Sequence, residues 1–580
     1  MKNLLKYFVG YRRYAVIGAL AKLIEVIIQL FIPILFTLII RDGLEARPAI
    51  NMEAIWLYFG LICGCIVLSF GFSIFGQYFA SKTGAGVAKN VRKAMYEKIT
   101  TFSFSELDHF GVSSLNNRTT RDVSMLQDAI NRTIRLILRV PTIIIGCLTI
   151  LFIVYWAVGL VALIAVIIIG AILSVVMVLS YKYQKKIEES FDSLLKVTRE
   201  NFRGARIVRA FVNEEYEEQR FIDRNKALGK TLMKLSKVHA IINPVVLIGI
   251  NTALVLMYFF GALHVDPMNA AAGFDVATLP ILTSFANELV LSLVATLEFI
   301  LILGVGRSSW FRILQVLDIV PSIQNAENPV IPVFEKSPSI EFKKVSFIYN
   351  NEEACSIRDL SLKVAPGEFL GIVGVTGSGK TTLINLLPRF YDVTSGEILI
   401  DGVNIKDYEY HELRKRISYV AQIPDMLTGT IRSNLEFGNR FESNLFDEAI
   451  DISDSEDIIY VKHDHLDEKV LNGGKNFSLG QKQRLNLARA LIRHNKVLIL
   501  DDSLSALDTI TDARIRAKLN GIANPPTTLI VSQRVNTLKE LDRIMLMHNG
   551  SLSDIGTHEE LIKRSKLYRM IVHSQEMGGK

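Results

Sequence analysis

The chain is 580 residues long, half of its residues are hydrophobic, and its formal net charge is +7. The length and the apolar content exclude a single soluble domain. The positive charge does not indicate nucleic acid as a partner, because Lys and Arg concentrate in the loops between apolar runs and no nucleic-acid-binding motif accompanies them. The composition therefore predicts a membrane protein that carries an additional soluble part.

The first apolar run, residues 14–40, follows several basic residues and must be compared with a secretory signal peptide. The apolar core of a cleavable signal is typically about 7–15 residues long, which is much shorter than this run. No cleavage site of small residues follows it. We therefore expect the run to remain in the protein as a membrane anchor.

Six segments are long and apolar enough to cross a bilayer as helices, which takes about 20 residues. They are residues 14–40, 55–80, 140–157, 158–181, 239–263 and 279–306. Only residues 156–159 can turn between the third and fourth spans, whereas 81–139 and 182–238 are long, polar arms rich in helix formers. Both arms carry many Lys and Arg, but 264–278 carries none. The positive-inside rule therefore predicts that the arms and both termini are cytoplasmic.

Ionisable residues inside the spans should face protein or a water-filled cavity, because a central charge costs about 2.5–3.5 kcal/mol on insertion scales. Lys22 and Glu25 lie three residues apart, a spacing that favours a mutual ion pair, while Arg139 stands at the entrance of the third span. Glu288 and Glu298 have no basic residue nearby, and whether they line a transport pathway stays open. Four polar residues could line that cavity or bond across helices: Asn243, Asn251, Asn287 and Ser292.

The pattern changes to short strands and amphipathic helices at residue 340, after a linker at 321–338 that contains proline. We predict a transmembrane domain at 1–320 and a soluble domain at 339–580. The predicted fold class is multidomain, with an all-α domain of six transmembrane helices followed by an α/β P-loop domain.

A P-loop lies at the centre of the soluble domain, between a buried-strand pattern at 369–373 and an apolar helix. Its glycines allow backbone N–H groups to wrap phosphates, Lys380 would reach the β- and γ-phosphates, and Thr381 would help to hold Mg²⁺. The residues predicted here to bind nucleotide are Gly374, Thr376, Gly377, Ser378, Gly379, Lys380, Thr381 and Thr382. The cofactors implied are ATP and Mg²⁺.

A second buried-strand pattern ends at Asp501, where a carboxylate linked to Mg²⁺ should project. Shortly before it lies a segment at 477–481 that reads Phe-Ser-Leu-Gly-Gln, which we call the signature segment. With these motifs in this order, nearly the whole chain resembles the ABC transporter family. It is similar to half-size exporters, in which six spans precede an ATP-binding cassette.

The resemblance implies that Tyr349 stacks on adenine, and that Gln422 senses Mg²⁺ and the attacking water. With Thr381 and Asp501, Gln422 would form the metal site. It also implies that two cassettes close head to tail, with each ATP held between one P-loop and the partner's signature segment. Long arms would carry coupling helices near residues 105–115 and 208–218. The signature residues predicted to bind the partner's nucleotide are Ser478, Gly480 and Gln481.

The predicted hydrolytic site departs from the family at two positions. Family members that hydrolyse ATP efficiently carry Glu after the strand Asp, but this chain has Asp502, and Gln533 replaces the switch histidine. A carboxylate pulled back by roughly 1 Å can cost about 100-fold in rate. A site with both Asp502 and Gln533 resembles the degenerate site of heterodimeric exporters. The signature segment carries Leu479 at its third position, and its effect on the partner's site stays open.

These features predict one subunit of a heterodimeric, multidrug-type ATP-driven exporter, with Asp502, Gln533 and Gln422 as its catalytic residues. The expected partners are a second half-transporter, membrane lipids and a hydrophobic or amphipathic small molecule. The alternatives are a homodimeric lipid or peptide translocase and a nucleotide-gated regulatory membrane subunit. The expected location is a plasma membrane, by resemblance a bacterial one.

Overall fold

The computed structural model describes residues 2–45, 50–262, 276–349, 354–461 and 463–578. Six helical stretches within these ranges are long and apolar enough to cross a membrane, which confirms the six predicted spans. The chain divides into two compact units. The first comprises Met1–Thr100 and Ser113–Ile319, and the second comprises Thr101–Val112 and Val320–Lys580.

Eleven α-helices are described up to residue 317, and the longest of them exceed a bilayer crossing because helices of the spans continue into polar segments. They are α1 (Arg12–Leu38), α2 (Met52–Thr100), α3 (Phe104–Phe110), α4 (Val112–Asn117), α5 (Val123–Leu136), α6 (Arg139–Val154), α7 (Trp156–Arg203), α8 (Ala205–Ala210), α9 (Glu214–Ala240), α10 (Ile242–Ala262) and α11 (Leu279–Leu317). Two π-helical segments, Ile39–Leu44 and Arg118–Asp122, follow α1 and α4.

The turn between the third and fourth spans is shorter than predicted. The expected turn at 156–159 is the first turn of α7, and only Tyr155 adopts an extended conformation, with φ −162° and ψ 126°. Gly159 permits this tight reversal, because a Cβ atom there would lie 2.5 Å from the Phe152 ring. The sequence did not reveal that the turn is this short, since no polar or helix-breaking residue marks the end of a helix within an apolar run.

A buried ionic cluster ties α1 to its neighbours. Lys22 Nζ lies 2.6 Å from Glu25 Oε2, which confirms the predicted ion pair, and it also donates to Ser73 Oγ at 3.0 Å. Arg139 Nη1 lies 3.5 Å from Glu25 Oε1. The expectation that Glu298 has no basic neighbour is wrong, because Arg132 Nη1 lies 3.9 Å from its Oε2. Arg132 is distant in sequence, and only helix packing brings it close.

Two of the four polar residues singled out in the spans bond within their own helices. Asn251 Nδ2 donates to Leu247 O at 2.8 Å, and Ser292 Oγ donates to Leu289 O at 2.7 Å. Asn243 and Asn287 have exposed side chains. For Asn251 and Ser292 these bonds satisfy the polar groups locally, so neither needs a partner on another helix.

Within the described residues, the second unit contains an α/β domain with twelve strands. They are β1 (Ile340–Phe347), β2 (Ile357–Val364), β3 (Phe369–Gly374), β4 (Ser395–Ile400), β5 (Val403–Asn404), β6 (Ile417–Val420), β7 (Gly429–Thr430), β8 (Lys469–Val470), β9 (Val497–Asp501), β10 (Thr527–Val531), β11 (Arg543–His548) and β12 (Ser551–Gly556). Its helices are α12 (Lys380–Leu386), α13 (Tyr410–Lys415), α14 (Ile431–Glu436), α15 (Ser443–Ile452), α16 (Glu456–Ile459), α17 (Leu479–Leu491), α18 (Thr509–Asn520), α19 (Val535–Leu538), α20 (His558–Arg564) and α21 (Lys566–Gly578).

The central sheet has the order β12-β11-β3-β10-β9-β6, and all its pairings are parallel except β11 with β12. Every residue of β3, β9 and β10 is buried, which explains their unbroken apolar runs. A second, antiparallel sheet has the order β2-β1-β4-β5. The carboxyl ends of β3, β9 and β10 therefore meet at one edge of the central sheet, the usual place for a ligand site in such sheets.

The short helix α3 packs against the α/β domain of the second unit. The Phe104 and Phe390 rings lie 4.8 Å apart, and Tyr391 donates a hydrogen bond to Asp108 Oδ2 at 2.8 Å. Glu106, which is buried, caps α3 and reaches the chain after α11: its oxygens accept from Ser103 N at 2.8 Å and from Ser322 N at 3.0 Å. The helix overlaps the first part of the segment 105–115, where the first coupling helix is expected.

Replacing Glu106 by alanine is expected to loosen α3. The change leaves the N–H groups of Ser103 and Ser322 without this acceptor, which costs about 2 kcal/mol and should speed amide exchange across 103–110 by about 30-fold. Burial raises the pKa of Glu106, but hydrogen bonds from Ser103 and Ser322 outweigh burial and lower it. The Glu106 carboxylate therefore stabilises α3 fully above pH about 4.3, the pKa of this carboxyl in the unfolded chain. The stabilisation is lost as the pH falls through the lower pKa that Glu106 has in the folded protein.

Hydrogen exchange of the native protein and the Glu106→Ala variant checks this prediction, with the exposed His109 as the site of a matched alanine control. Equal exchange in the native and Glu106→Ala proteins would contradict it.

Candidate functional site

The P-loop joins β3 to α12 and lines a cavity of about 600 Å³. Gly377 and Gly379 have φ of +81° and +95°, a region that disfavours other residues, and a Cβ at Gly379 would also lie 2.6 Å from Ser356 O. Lys380 is buried, and its Nζ donates to Gly374 O at 2.9 Å and to Val375 O at 3.0 Å. Its amine therefore curls over the loop that would hold the phosphates.

The Ser378 side chain of the loop is enclosed by the domain. Ser378 is 1% exposed, it does not line the cavity, and its Oγ has no hydrogen-bond partner among the described residues. The backbone of the loop is braced from outside, since Gly550 N donates to Ser378 O at 3.2 Å.

Oxygen groups that suit Mg²⁺ meet at the carboxyl end of β9. Thr381 Oγ1 donates to Asp501 Oδ1 at 3.1 Å, and Tyr419 donates to Asp501 Oδ2 at 3.3 Å. A hydroxyl and a carboxylate facing one cavity are the hard oxygen ligands that Mg²⁺ prefers. The described residues therefore fit the cation that an ATP site requires.

Asp502 lies next to Asp501 and contacts both of the other predicted catalytic residues. Gln422 Nε2 donates to Asp502 Oδ2 at 3.3 Å, and the backbone N of Gln533 donates to Asp502 Oδ1 at 3.4 Å. Asp502 has φ of +48°, a left-handed conformation that Asp tolerates better than most residues. Gln422, Asp502 and Gln533 thus form one hydrogen-bonded group in the cavity wall.

The charges in this wall influence one another. Burial raises the pKa of the Asp501 and Asp502 carboxyls, whereas hydrogen bonds to their oxygens and the charge of Lys380 oppose the rise. Burial lowers the pKa of the Lys380 amine, whereas the two carboxylates oppose the fall. A cation and two carboxylates in one half-buried cleft are typical of a site that binds a charged ligand.

Tyr349 also lines the cavity. Its hydroxyl donates to Thr382 Oγ1 at 3.2 Å, and the Tyr391 ring meets its ring edge to face, with centroids 5.2 Å apart. Tyr391 is the residue that donates to Asp108 of α3. The predicted base-stacking tyrosine is therefore two contacts away from α3.

The predicted signature residues do not line this cavity. Ser478 caps α17: its Oγ accepts from Gln481 N at 3.3 Å, and Gln481 Oε1 accepts from Ser478 N at 2.9 Å. Gly480 lies in the first turn of α17, next to Leu479, whose side chain is 55% exposed. The structure therefore leaves these residues at a surface of the chain, away from its own P-loop.

Sequence reasoning missed several residues of the site. Tyr419 lies in β6, three positions before Gln422, and its alternating strand gave no sign that its hydroxyl reaches Asp501. Asn549 and Gly550 line the cavity from the turn between β11 and β12, with φ of +47° and +79°. An Asn-Gly pair between two strand patterns is a strong hairpin signal and could have located that turn.

These features define an ATP-binding P-loop domain that follows six membrane-spanning helices. A family model described as the ABC transporter transmembrane region matches residues 15–286, and one described as ABC transporter matches residues 357–505. An uncharacterised ABC transporter ATP-binding protein of Bacillus subtilis is 30% identical, over 99% of this chain and 98% of that protein.

Two other relatives extend the comparison. An ATP-dependent lipid A-core flippase of Pseudomonas syringae pv. tomato is 30% identical, over 86% of this chain and 82% of that protein. The structure of a bacterial Atm1-family ABC exporter with ATP bound matches this chain with a TM-score of 0.81 and 22% sequence identity. The match covers 97% of this chain and 99% of the exporter chain. The latter comparison shows the fold.

This chain belongs to the ABC transporter family. It is a half-transporter of the exporter type, an ATP-hydrolysing translocase that crosses the cell membrane several times. Exporters of this family act as dimers, so the chain is one half of the working assembly.

Proposed function

We propose that this chain is the slow-site subunit of a heterodimeric exporter of hydrophobic or amphipathic compounds. The observation that carries the proposal is the Asp502 carboxylate, held by Gln422 and by the backbone of Gln533. In this position efficient family members carry the longer Glu, and Gln533 cannot replace the imidazole of the switch histidine. A partner with a competent carboxylate would then supply most of the turnover.

Within this proposal, the P-loop and Tyr349 bind ATP, and Thr381, Asp501 and Gln422 hold Mg²⁺. The metal supplies charge neutralisation on the phosphates when it is bound. Lys380 reaches the β- and γ-phosphates from its buried position in the cavity wall. Gln422 and Asp502 orient water at the edge of the sheet.

The placement of the signature residues supports a site that two chains share. Ser478, Gly480 and Gln481 lie outside the cavity of their own P-loop, and the exposed Leu479 stands beside them. We propose that they contact the nucleotide of the partner. The second arm, residues 182–238, supports the same two-chain assembly, because it exposes several large apolar side chains. These are Phe202, Ile207, Phe211, Val212 and Tyr216. An exposed apolar patch of this kind suits a protein partner.

The orientation in the membrane follows from the same proposal. The cassette must meet cellular ATP, and Lys and Arg are abundant in both arms. We therefore place the arms and both termini in the cytoplasm.

ATP turnover by the complex that copurifies with this chain, in lipid nanodiscs, tests the proposal. Asp502→Asn removes the carboxylate of this chain alone and is expected to leave more than about half of the turnover, because the partner's site does most of the chemistry. Loss of nearly all turnover would contradict the heterodimer and show that Asp502 is the working carboxylate. The subunit composition of the same sample provides an independent control.

A homodimeric lipid translocase is the second candidate. Relatives named lipid A-core flippases favour it. An apolar groove of about 470 Å³ between α7 and α10, lined by residues such as Ile164, Ile168 and Leu256, also suits acyl chains. The near-complete loss of turnover described for Asp502→Asn would support this candidate, because both sites would then be identical.

A further inference from the structure

The side chain of Gln575, near the end of α21, bonds to the segment that leaves β10 for α19. Its Nε2 donates to Gln533 O at 2.6 Å, and its Oε1 accepts from Val535 N at 2.9 Å. One amide thereby holds the two peptide groups on either side of Arg534. We call this pair of hydrogen bonds the Gln575 bracket.

The bracketed segment also contacts the predicted hydrolytic site from its other side. Gln533 N donates to Asp502 Oδ1 at 3.4 Å, and Arg534 Nη1 donates to Leu507 O at 3.1 Å. The Gln533 peptide groups are therefore held by Gln575 at the oxygen and by Asp502 at the nitrogen. A shift of the segment toward or away from α21 would change the distance to the carboxylate directly.

The helix that carries Gln575 is anchored at its start. Tyr568 is fully buried and its hydroxyl lies 2.8 Å from His558 Nδ1, while Ile571 and Val572 pack against the core of the parallel sheet. Gln575 lies one turn further along and is an exposed residue. The bracket is thus held by a packed helix although the amide itself lies at the surface.

We propose that Gln575 is a positioning residue for ATP hydrolysis, and that the last helix of the chain is thereby part of the nucleotide site. The inference rests on the roles proposed above for Asp502 and Gln533. The amide supplies both the donor and the acceptor that the bracket uses at neutral pH, which neither an aliphatic side chain nor a carboxylate can do. Gln575 lies outside the cavity, so it acts on the geometry of the segment and leaves ATP binding unchanged.

The test uses the full-length complex in nanodiscs and measures vanadate-dependent trapping of an azido-ATP probe in this chain, which reports on its own site. Gln575→Leu removes both bonds at similar volume and is expected to slow trapping about tenfold, since small misplacements have such effects on rate. The probe concentration at half saturation should change by less than about twofold. Glu576→Ala, an exposed neighbour on α21, is the matched control.

A second variant distinguishes positioning from mere helix packing. In Gln575→Glu a carboxylate can accept from Val535 N but faces the carbonyl of Gln533, whereas the protonated acid can donate to that carbonyl as the amide does. Trapping relative to the native protein should therefore recover as the pH falls from about 8 to about 4.5, where a large fraction of a carboxyl with a pKa of about 4.3 is protonated. Gln575→Leu should show no such recovery.

Several outcomes would overturn the inference. Native trapping rates in Gln575→Leu, when Asp502→Asn is slow in the same assay, would show that the segment does not need the bracket. Equal defects of the Leu and Glu variants at every pH would reduce Gln575 to a packing role. If Asp502→Asn itself traps at the native rate, the role proposed for Asp502 fails instead. The exchange rate of the Val535 amide then decides the bracket: a rise of about tenfold in Gln575→Leu supports it, and an unchanged rate overturns it.

Discussion

Lys380→Ala is expected to reduce nucleotide labelling of this chain by about two orders of magnitude at subsaturating ATP. A hydrogen bond from a charged group contributes about 1.5–3 kcal/mol, and the Lys380 amine would make such bonds with two phosphates. The amine now donates to the carbonyls of Gly374 and Val375, so it can swing to the phosphates without rebuilding the loop. No other described side chain that lines the cavity brings an ammonium group to this point.

Labelling with an azido-ATP probe, read separately for each chain of the complex, measures this effect. Lys363→Ala, an exposed lysine of β2, is the matched control and should label like the native protein. If Lys380→Ala labels as strongly as the control, the P-loop of this chain does not hold the phosphates. The assay does not depend on hydrolysis, so it applies equally to a slow site and a fast one.

The elements that the sequence predicted well are those whose signals are local. The strand before the P-loop and the strand that ends at Asp501 each follow from a short run of neighbouring residues. The six spans follow in the same way, because a run of about 20 apolar residues has few alternatives to a membrane helix. The position of Tyr155 escaped prediction, since one extended residue can end a helix without any polar signal.

The features that sequence reasoning missed depend on contacts between distant segments. Glu298 meets Arg132 only because α11 packs beside α5, and Tyr419 meets Asp501 only because β6 pairs with β9. Gln575 is the clearest example. It lies in a tail that matches no functional motif, and only the packing of α21 brings its amide to Gln533 and Val535.

Asp502→Glu is expected to raise hydrolysis at this chain's own site by about 100-fold, provided that carboxylate reach is what limits it. The Asp502 carboxylate lies 3.3 Å from Gln422 Nε2 and 3.4 Å from Gln533 N. Both distances are at the long end of the range for hydrogen bonds, so these two bonds are weak. One more methylene would carry the oxygens roughly 1 Å further into the cavity. The change has a cost, because φ of +48° suits the short Asp better than Glu, and we expect about 1 kcal/mol lower stability.

Vanadate-dependent trapping in this chain measures the gain, and Asp502→Asn is the matched control that removes the charge without adding length. A faster rate in Asp502→Glu together with a slower rate in Asp502→Asn would locate the limit in the position of the carboxylate. If Asp502→Glu traps no faster than the native chain, the length of the side chain is not the limit, and the neutral amide of Gln533 becomes the group to change. Gln533→His should then accelerate trapping where Asp502→Glu did not, because an imidazole can exchange a proton near neutral pH and an amide cannot.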